Sequence, residues 1–347
     1  MTGLMDSMAL DPLTLLSGLG PIWGEVECET WPLWRPFAIA RGVQTDIALV
    51  KVTLRDREGR IGRGESCPVA HHGETPEGVV AMIGDMLARL EGGMDWSELH
   101  DRVPAGAARN AVDCAMWDLA AKARRRRVSD MLGMSVPKPV ETVFTIGLGT
   151  PELMARQALE TEGHARLKLK LGAEGDTDRL RAIRAAVPDK ILIADVNEHW
   201  SSRQLMANLP VVIACRIAML EQPLPAGGDA GLAAFDHPVP IGADESCHVA
   251  ADIVTVAQRY DLVNIKLDKT GGLTEALRLL HAARRAGLDI MVGCMLGTSL
   301  AMAPAMLIAQ FCTHVDLDAP LLIGGDRSPA LDYRNGWIAP PCADLWG

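Results

Sequence analysis

What this 347-residue chain lacks narrows it first. It has no C-x-x-C pair. Its eight cysteines, Cys28, Cys67, Cys114, Cys215, Cys247, Cys294, Cys312 and Cys342, are scattered. That argues against a disulfide framework, which a chain of this length does not need, and the thiols read as reduced ones in a cytoplasmic protein. No run of 18 apolar residues occurs, so no membrane-spanning helix is expected. The first residues lack the basic stretch of a secretory leader. Basic excess is missing too: 34 Lys and Arg stand against 44 Asp and Glu, a formal net charge of −10. Broad affinity for nucleic acid or for an anionic membrane is thereby excluded. What remains is ample core material, 48% hydrophobic residues with 22% charged. That composition excludes a disordered chain and fits two domains, or one large α/β barrel with an appendage.

The chain changes character near residue 139. Residues 1–20 are Met- and Leu-rich but irregular, and read as a loosely packed extension. Residues 21–138 read as an α+β unit. Glu25–Trp34, Ile47–Leu54 and Ile61–Glu65 look like strands, and helices start near Thr75 and Ala107. Over residues 139–325, eight short apolar runs start at Val143, Ala165, Ile191, Ile217, Val239, Leu262, Ile290 and His314. A repeat of roughly 25 residues holds one strand, one helix and two loops, and strands alternating with helices make a parallel sheet. Eight such units predict a closed β/α barrel. Residues 326–347 are a tail that the α+β unit could receive. Gly147-Leu148-Gly149 is only a fragment of a dinucleotide fingerprint.

Ionisable residues gather at one end of these runs. The second carries Lys168 and Lys170, the third ends at Asp195 and the fourth at Glu221. The fifth ends at Asp244-Glu245, the sixth carries Lys266 and Asp268, and the eighth carries Asp316 and Asp318. Active sites of β/α barrels lie at the C-terminal strand ends. Alternation puts residues i and i+2 on one face, so each of these two-residue pairs is expected to share a cavity. Asp195, Glu221 and Asp244 come from successive strands, and strand spacing of about 4.8 Å lets three such ends converge on one ion. All-oxygen ligation favours a hard cation, with Mg²⁺ the natural choice. Lysines flank that set on the second and sixth strands. A lysine facing a cation and other lysines is expected to have a depressed pKa and to act as a base. Two of them can approach opposite faces of one carbon next to a carboxylate, whose enediolate the metal stabilises.

These motifs resemble the enolase superfamily. They are Leu167-Lys-Leu-Lys-Leu-Gly172, Asp195-Val-Asn197, Leu220-Glu-Gln-Pro223, Ala243-Asp-Glu-Ser246 and Asn264-Ile-Lys-Leu-Asp-Lys-Thr-Gly-Gly272. Within it the chain resembles the muconate-lactonizing-enzyme-like subgroup with paired lysine bases, from about residue 22 to 325. Cys294, not a histidine, on the seventh strand sets it apart from the dehydratases with a His–Asp dyad. The resemblance implies a modified (β/α)7β barrel under an α+β capping domain. It implies Lys170 and Lys266 as acid/base catalysts and Lys168 beside the substrate carboxylate. It also implies Asp195, Glu221 and Asp244 as Mg²⁺ ligands, with Thr145, Cys294 and Met295 lining the pocket. Asp316-Leu-Asp318 is similar to the motif by which dipeptide epimerases hold a free α-ammonium. Pro104–Cys114, Asp244–His248 and Gly293–Leu296 resemble the bacterial L-Ala-D/L-Glu epimerases. Such an activity implies a small dipeptide substrate from murein, with Arg41 pairing with a glutamyl γ-carboxylate. N-acylamino-acid racemases, cycloisomerases, o-succinylbenzoate synthases and epimerases of other side-chain specificity are the alternatives. A homo-oligomer is compatible with the chain, since symmetric oligomers are common among enzymes.

Overall fold

The computed structural model describes residues 11–347. Three antiparallel strands open the capping domain: β1 (Trp23–Ile39), β2 (Gly42–Arg55) and β3 (Ile61–Ser66). Helices α1 (Pro76–Glu91) and α2 (Ala107–Arg124) pack on this sheet. Thr75 caps α1 by accepting the Gly78 N–H, with Pro76 at the first helical position. Sheet and α2 approach closely because β3 carries Gly62 and Gly64; a Cβ at either would collide with the Ala115 or Ala111 carbonyl.

After a short strand, β4 (Val140–Glu141), comes the barrel. Its strands are β5 (Phe144–Ile146), β6 (Arg166–Lys170), β7 (Ile191–Asp195), β8 (Ile217–Glu221), β9 (Ile241–Ala243), β10 (Leu262–Ile265), β11 (Asp289–Val292) and β12 (His314–Val315). They run parallel in sequence order. The Val143 N–H donates to the Val315 carbonyl at 2.9 Å and draws the two ends of the sheet together. Among the described residues no helix of more than three residues follows β12. The chain instead turns into β13 (Tyr333–Arg334) and β14 (Trp337–Ile338), which pair back onto β4. Each of the eight apolar runs thus holds one barrel strand.

The tail and the first described residues are not loose. Leu13 and Leu16, on the turn Pro12–Leu16, are buried in the main core, and Asp11 pairs with Arg278. The reading of residues 1–20 as a loose extension therefore fails from Asp11 on; residues 1–10 lie outside the described residues. Trp346 is 1% exposed and donates its indole N–H to the Cys114 carbonyl at 2.9 Å. Arg127, from the basic run after α2, donates to the Pro341 and Trp346 carbonyls. Trp346→Ala should lower unfolding stability by about 3–5 kcal/mol, the usual cost of emptying a buried tryptophan site. Urea denaturation checks this, and a loss under about 1 kcal/mol would show the tail to be dispensable.

The cap is tied to the barrel by charge as well as by packing. Glu65 on β3 is buried and accepts the Thr298 N–H and hydroxyl. Arg327 donates Nε and Nη2 to the same carboxylate, at 2.9 and 2.6 Å. The end of β1 also crosses the barrel rim. There the Ala38 carbonyl accepts the Leu148 N–H and the Trp34 N–H donates to Leu322.

Candidate active site

Strand register assembles the site. Lys170 pairs with Asp195 across β6 and β7, and Asp195 with Glu221 across β7 and β8. These three therefore stand abreast at the C-terminal ends of neighbouring strands. Asp244 follows β9 directly, and Lys266 follows β10. Thr145 on β5 lies opposite Lys168 on β6. Cap residues Phe37, Ile39, Arg41, Val43 and Ile47 close the mouth over a cavity of about 590 Å³. Thr145, Lys168, Lys170, Asp244, Lys266, Cys294, Met295, Asp316 and Asp318 line that cavity.

At its floor lie buried charges. Lys168 Nζ is 2.8 Å from Asp316 Oδ2, 2.8 Å from Glu221 Oε2 and 3.1 Å from Asp195 Oδ2. Lys170 Nζ donates to Asp195 Oδ2 at 2.6 Å and Lys266 Nζ to Asp244 Oδ2 at 2.7 Å. Across the cavity, Asp318 accepts the Thr145 N–H at 2.6 Å, and the Thr145 hydroxyl donates to Asp316 at 3.4 Å. Burial works against the charges of Asp195 and Asp244, but the adjacent lysines outweigh it and hold both carboxyls below the usual range. Burial and then the charge of Asp195 push Glu221 up to about 7.

The carboxylates facing Lys168 and Lys266 set the pKa directions of these two lysines. Burial alone would lower Lys168 and Lys266, yet the facing carboxylates raise both above the ordinary lysine value. Asp316, Glu221 and Asp195 do this for Lys168, and Asp244 leads for Lys266. The expected depression presupposes a cation that claims those carboxylates.

One expectation is corrected. Lys266 and Asp268 do not share a face, because β10 ends at Ile265 and Leu267–Thr270 is a helical turn. Asp268 instead faces the cap, accepting from the Cys67 N–H at 3.0 Å and from Asn110 Nδ2 at 2.9 Å. Burial pushes its carboxyl up to about 7. Arg41 does reach the cavity, but its Nη2 already bonds Glu198 Oε2 at 2.6 Å and Glu245 Oε1 at 2.5 Å. His71 pairs with the same Glu198 oxygen at 2.8 Å. Asn197 and Glu198, just past β7, sit in the left-handed region at φ 47° and 71°. Such backbone costs energy and is concentrated at functional sites.

Sequence reasoning missed several participants. Asn264 Nδ2 donates to Glu221 Oε1 at 2.7 Å, and Lys269 lies 2.7 Å from Asp244 Oδ1. Lys269 stands three residues after Lys266, a spacing that faces the same way on a helical turn but not on a strand.

The donor set suits a hard cation. Among the described residues no three acidic, His or Cys side chains close tightly around one point, because Lys168 and Lys266 stand between the carboxylates. Glu221 Oε2 and Asp244 Oδ1 are nonetheless buried without a well-directed hydrogen bond, each facing only an ammonium. Orphaned carboxylate oxygens on successive strands are what a Mg²⁺ site offers.

A cap over a parallel barrel, with acids at three strand ends between two lysines, is the arrangement of an enolase-type enzyme. Family comparison agrees over both domains. Residues 24–133 match the mandelate racemase/muconate lactonizing enzyme N-terminal domain, and residues 153–343 match the enolase C-terminal domain-like family. The chain belongs to the mandelate racemase/muconate lactonizing enzyme family of the enolase superfamily, and is an isomerase.

It is 46% identical to the L-Ala-D/L-Glu epimerase of Escherichia coli K12 over 310 residues, 89% of this chain and 96% of that one. It is 41% identical to an N-acetyl-D-glutamate racemase of a Pseudoalteromonas species, over 86% of this chain and 95% of the other. A solved enolase family member from Agrobacterium tumefaciens, with homology to dipeptide epimerases, superposes with a TM-score of 0.91 at 45% identity. The match covers 94% of this chain and 100% of that one, and that protein holds sodium and L-Ala-L-Glu. Dipeptide epimerases of Enterococcus faecalis and Methylococcus capsulatus, at 28% and 31% identity and a TM-score of 0.84 each, were solved with Mg and a dipeptide. Each match covers 92% of this chain and 97% of the neighbour.

Proposed function

We propose that this enzyme is a Mg²⁺-dependent dipeptide epimerase that inverts the α-carbon of the C-terminal residue, with L-Ala-D/L-Glu as the favoured substrate. The observation that carries this is the placement of Lys170 and Lys266 on either side of Asp195, Glu221 and Asp244, with Asp316 and Asp318 across the same cavity. Asp195, Glu221 and Asp244 would hold Mg²⁺, which when bound stabilises negative charge developing on the substrate carboxylate. Lys168 offsets the remaining charge there. One of Lys170 and Lys266 starts neutral and takes the α-proton from its face. The other starts as an ammonium and delivers a proton to the opposite face, so the two exchange states in each turnover.

Asp316 and Asp318 hold the N-terminal ammonium, and this distinguishes the dipeptide reading from N-acyl substrates. The cap supplies the side-chain end of the site. Both bonds of Arg41 run through Nη2, so its other donors are left to meet a γ-carboxylate. A dipeptide released from murein in the cytoplasm fits this chemistry.

Proton NMR in D₂O with L-Ala-L-Glu and Mg²⁺ tests the reading. The glutamyl α-proton signal should disappear, persist under EDTA, and disappear again once Mg²⁺ is restored in excess. Exchange with other dipeptides but not with this one would keep the reaction and change the substrate. Exchange with N-acetylglutamate alone would replace the reading with an N-acyl racemase.

A further inference from the structure

Lys269 has no part in the reaction derived above, yet it is among the largest fully buried side chains. It sits on the helical turn Leu267–Thr270. Its ammonium lies 2.7 Å from Asp244 Oδ1 and donates to the carbonyls of Asp244, Cys247 and Asn264, the last two at 2.9 Å. Burying an ammonium is costly, and an apolar side chain of similar length could fill the space without that cost. What the ammonium adds is a tie between two strand ends. Asp244 and Cys247 follow β9, whereas Asn264 belongs to β10, which leads into Lys266. Lys266 in turn bonds the other oxygen of Asp244. Lys170 has no such tie; it is held on β6 by Asp195 and Asn197.

We propose that Lys269 is a positioning residue that fixes the Lys266 base and the Asp244 ligand relative to one another, and therefore serves only one of the two proton-transfer faces. This rests on the epimerase reading. The structure separates Lys269 from Lys170 by the full width of the carboxylate set, so its loss should be felt asymmetrically.

The test measures α-proton exchange into D₂O separately from L-Ala-L-Glu and L-Ala-D-Glu, at saturating Mg²⁺, for wild type, K269M and K266A. K266A identifies the epimer whose proton Lys266 removes. K269M should slow exchange from that epimer by about 100-fold, the scale expected of a misplaced catalytic group, and leave the other near wild type. Mg²⁺ titration by calorimetry should show the dissociation constant weakened by about 10- to 100-fold, as for other residues that orient a metal ligand. Equal slowing of both epimers, or of neither, overturns the proposal. If wild type exchanges neither epimer, the epimerase reading has failed; the Mg²⁺ titration, which needs no substrate, then decides on Lys269 alone, and an unchanged dissociation constant overturns it. If thermal unfolding shows that K269M does not fold, K269R keeps the charge with displaced donors. It should show a smaller loss confined to the same epimer, and equal losses again overturn the proposal.

Discussion

Lys266→Ala should lower epimerisation of L-Ala-L-Glu by about 10²- to 10⁴-fold, the range supplied by one general acid or base. The same variant should still exchange the α-proton of one epimer at close to the wild-type rate. Lys170 is on the opposite flank of the carboxylates and does not depend on Lys266 for its position. It bonds Asp195 at 2.6 Å and Asn197 at 3.4 Å, and neither touches Lys266. Lys170→Ala should give the mirror result, exchange of the other epimer without inversion. Removing Lys266 leaves Asp244 facing Lys269, so the loss cannot be put down to an unpaired buried carboxylate. Proton NMR of each pure epimer in D₂O reads both effects at once. If either variant silenced both epimers, a two-base mechanism would be wrong, and a single base with a mobile intermediate would replace it.

The pairing of strand ends with charges was legible because a barrel strand is a short apolar run, and a charge that ends it has only the mouth to face. Ile191–Asp195 shows the case: four apolar residues, then a buried acid in register with Lys170 and Glu221. Legibility ended where the strand did. Lys266 and Asp268 obey a two-residue alternation only while the chain is extended, and it turns helical at Leu267. The same turn hid Lys269, which on a strand would have faced away from Lys266. Arg41 lines the cavity, and its partners Glu198 and Glu245, 157 and 204 residues away in sequence, were beyond the reach of any local pattern. The depressed pKa expected of the lysines belongs to a site with a cation bound. Sequence shows which residue types share a mouth, but not that Lys168 approaches three carboxylates within 3.1 Å.

Asp318→Asn should raise the KM for L-Ala-L-Glu by about 10- to 100-fold while kcat changes little, since a hydrogen bond to a charged group contributes about 1.5–3 kcal/mol. Asparagine can still accept the Thr145 N–H that Asp318 now accepts at 2.6 Å, so the backbone of β5 stays in place. Asp318 is the sharper test of the pair because Asp316 also pairs with Lys168 at 2.8 Å. The pH dependence of KM should carry the same signature. Burial, and then the charge of Asp316, push the Asp318 carboxyl up to about 7. Below that pH it is neutral and attracts an ammonium weakly; above it the carboxylate forms and KM falls. The substrate's own α-ammonium deprotonates near pH 8, after which KM rises again. KM should therefore be lowest between about pH 7 and 8, and Asp318→Asn should erase the acidic limb while sparing the basic one. N-acetyl-L-glutamate, with no ammonium to hold, should respond oppositely, because removing a negative charge relieves its repulsion. Steady-state kinetics on both compounds across pH 5.5 to about 9 decides the matter. An Asp318→Asn enzyme that kept its KM for the dipeptide would mean that the two carboxylates opposite the lysines do not read the N-terminus, and would transfer the weight of specificity to the cap.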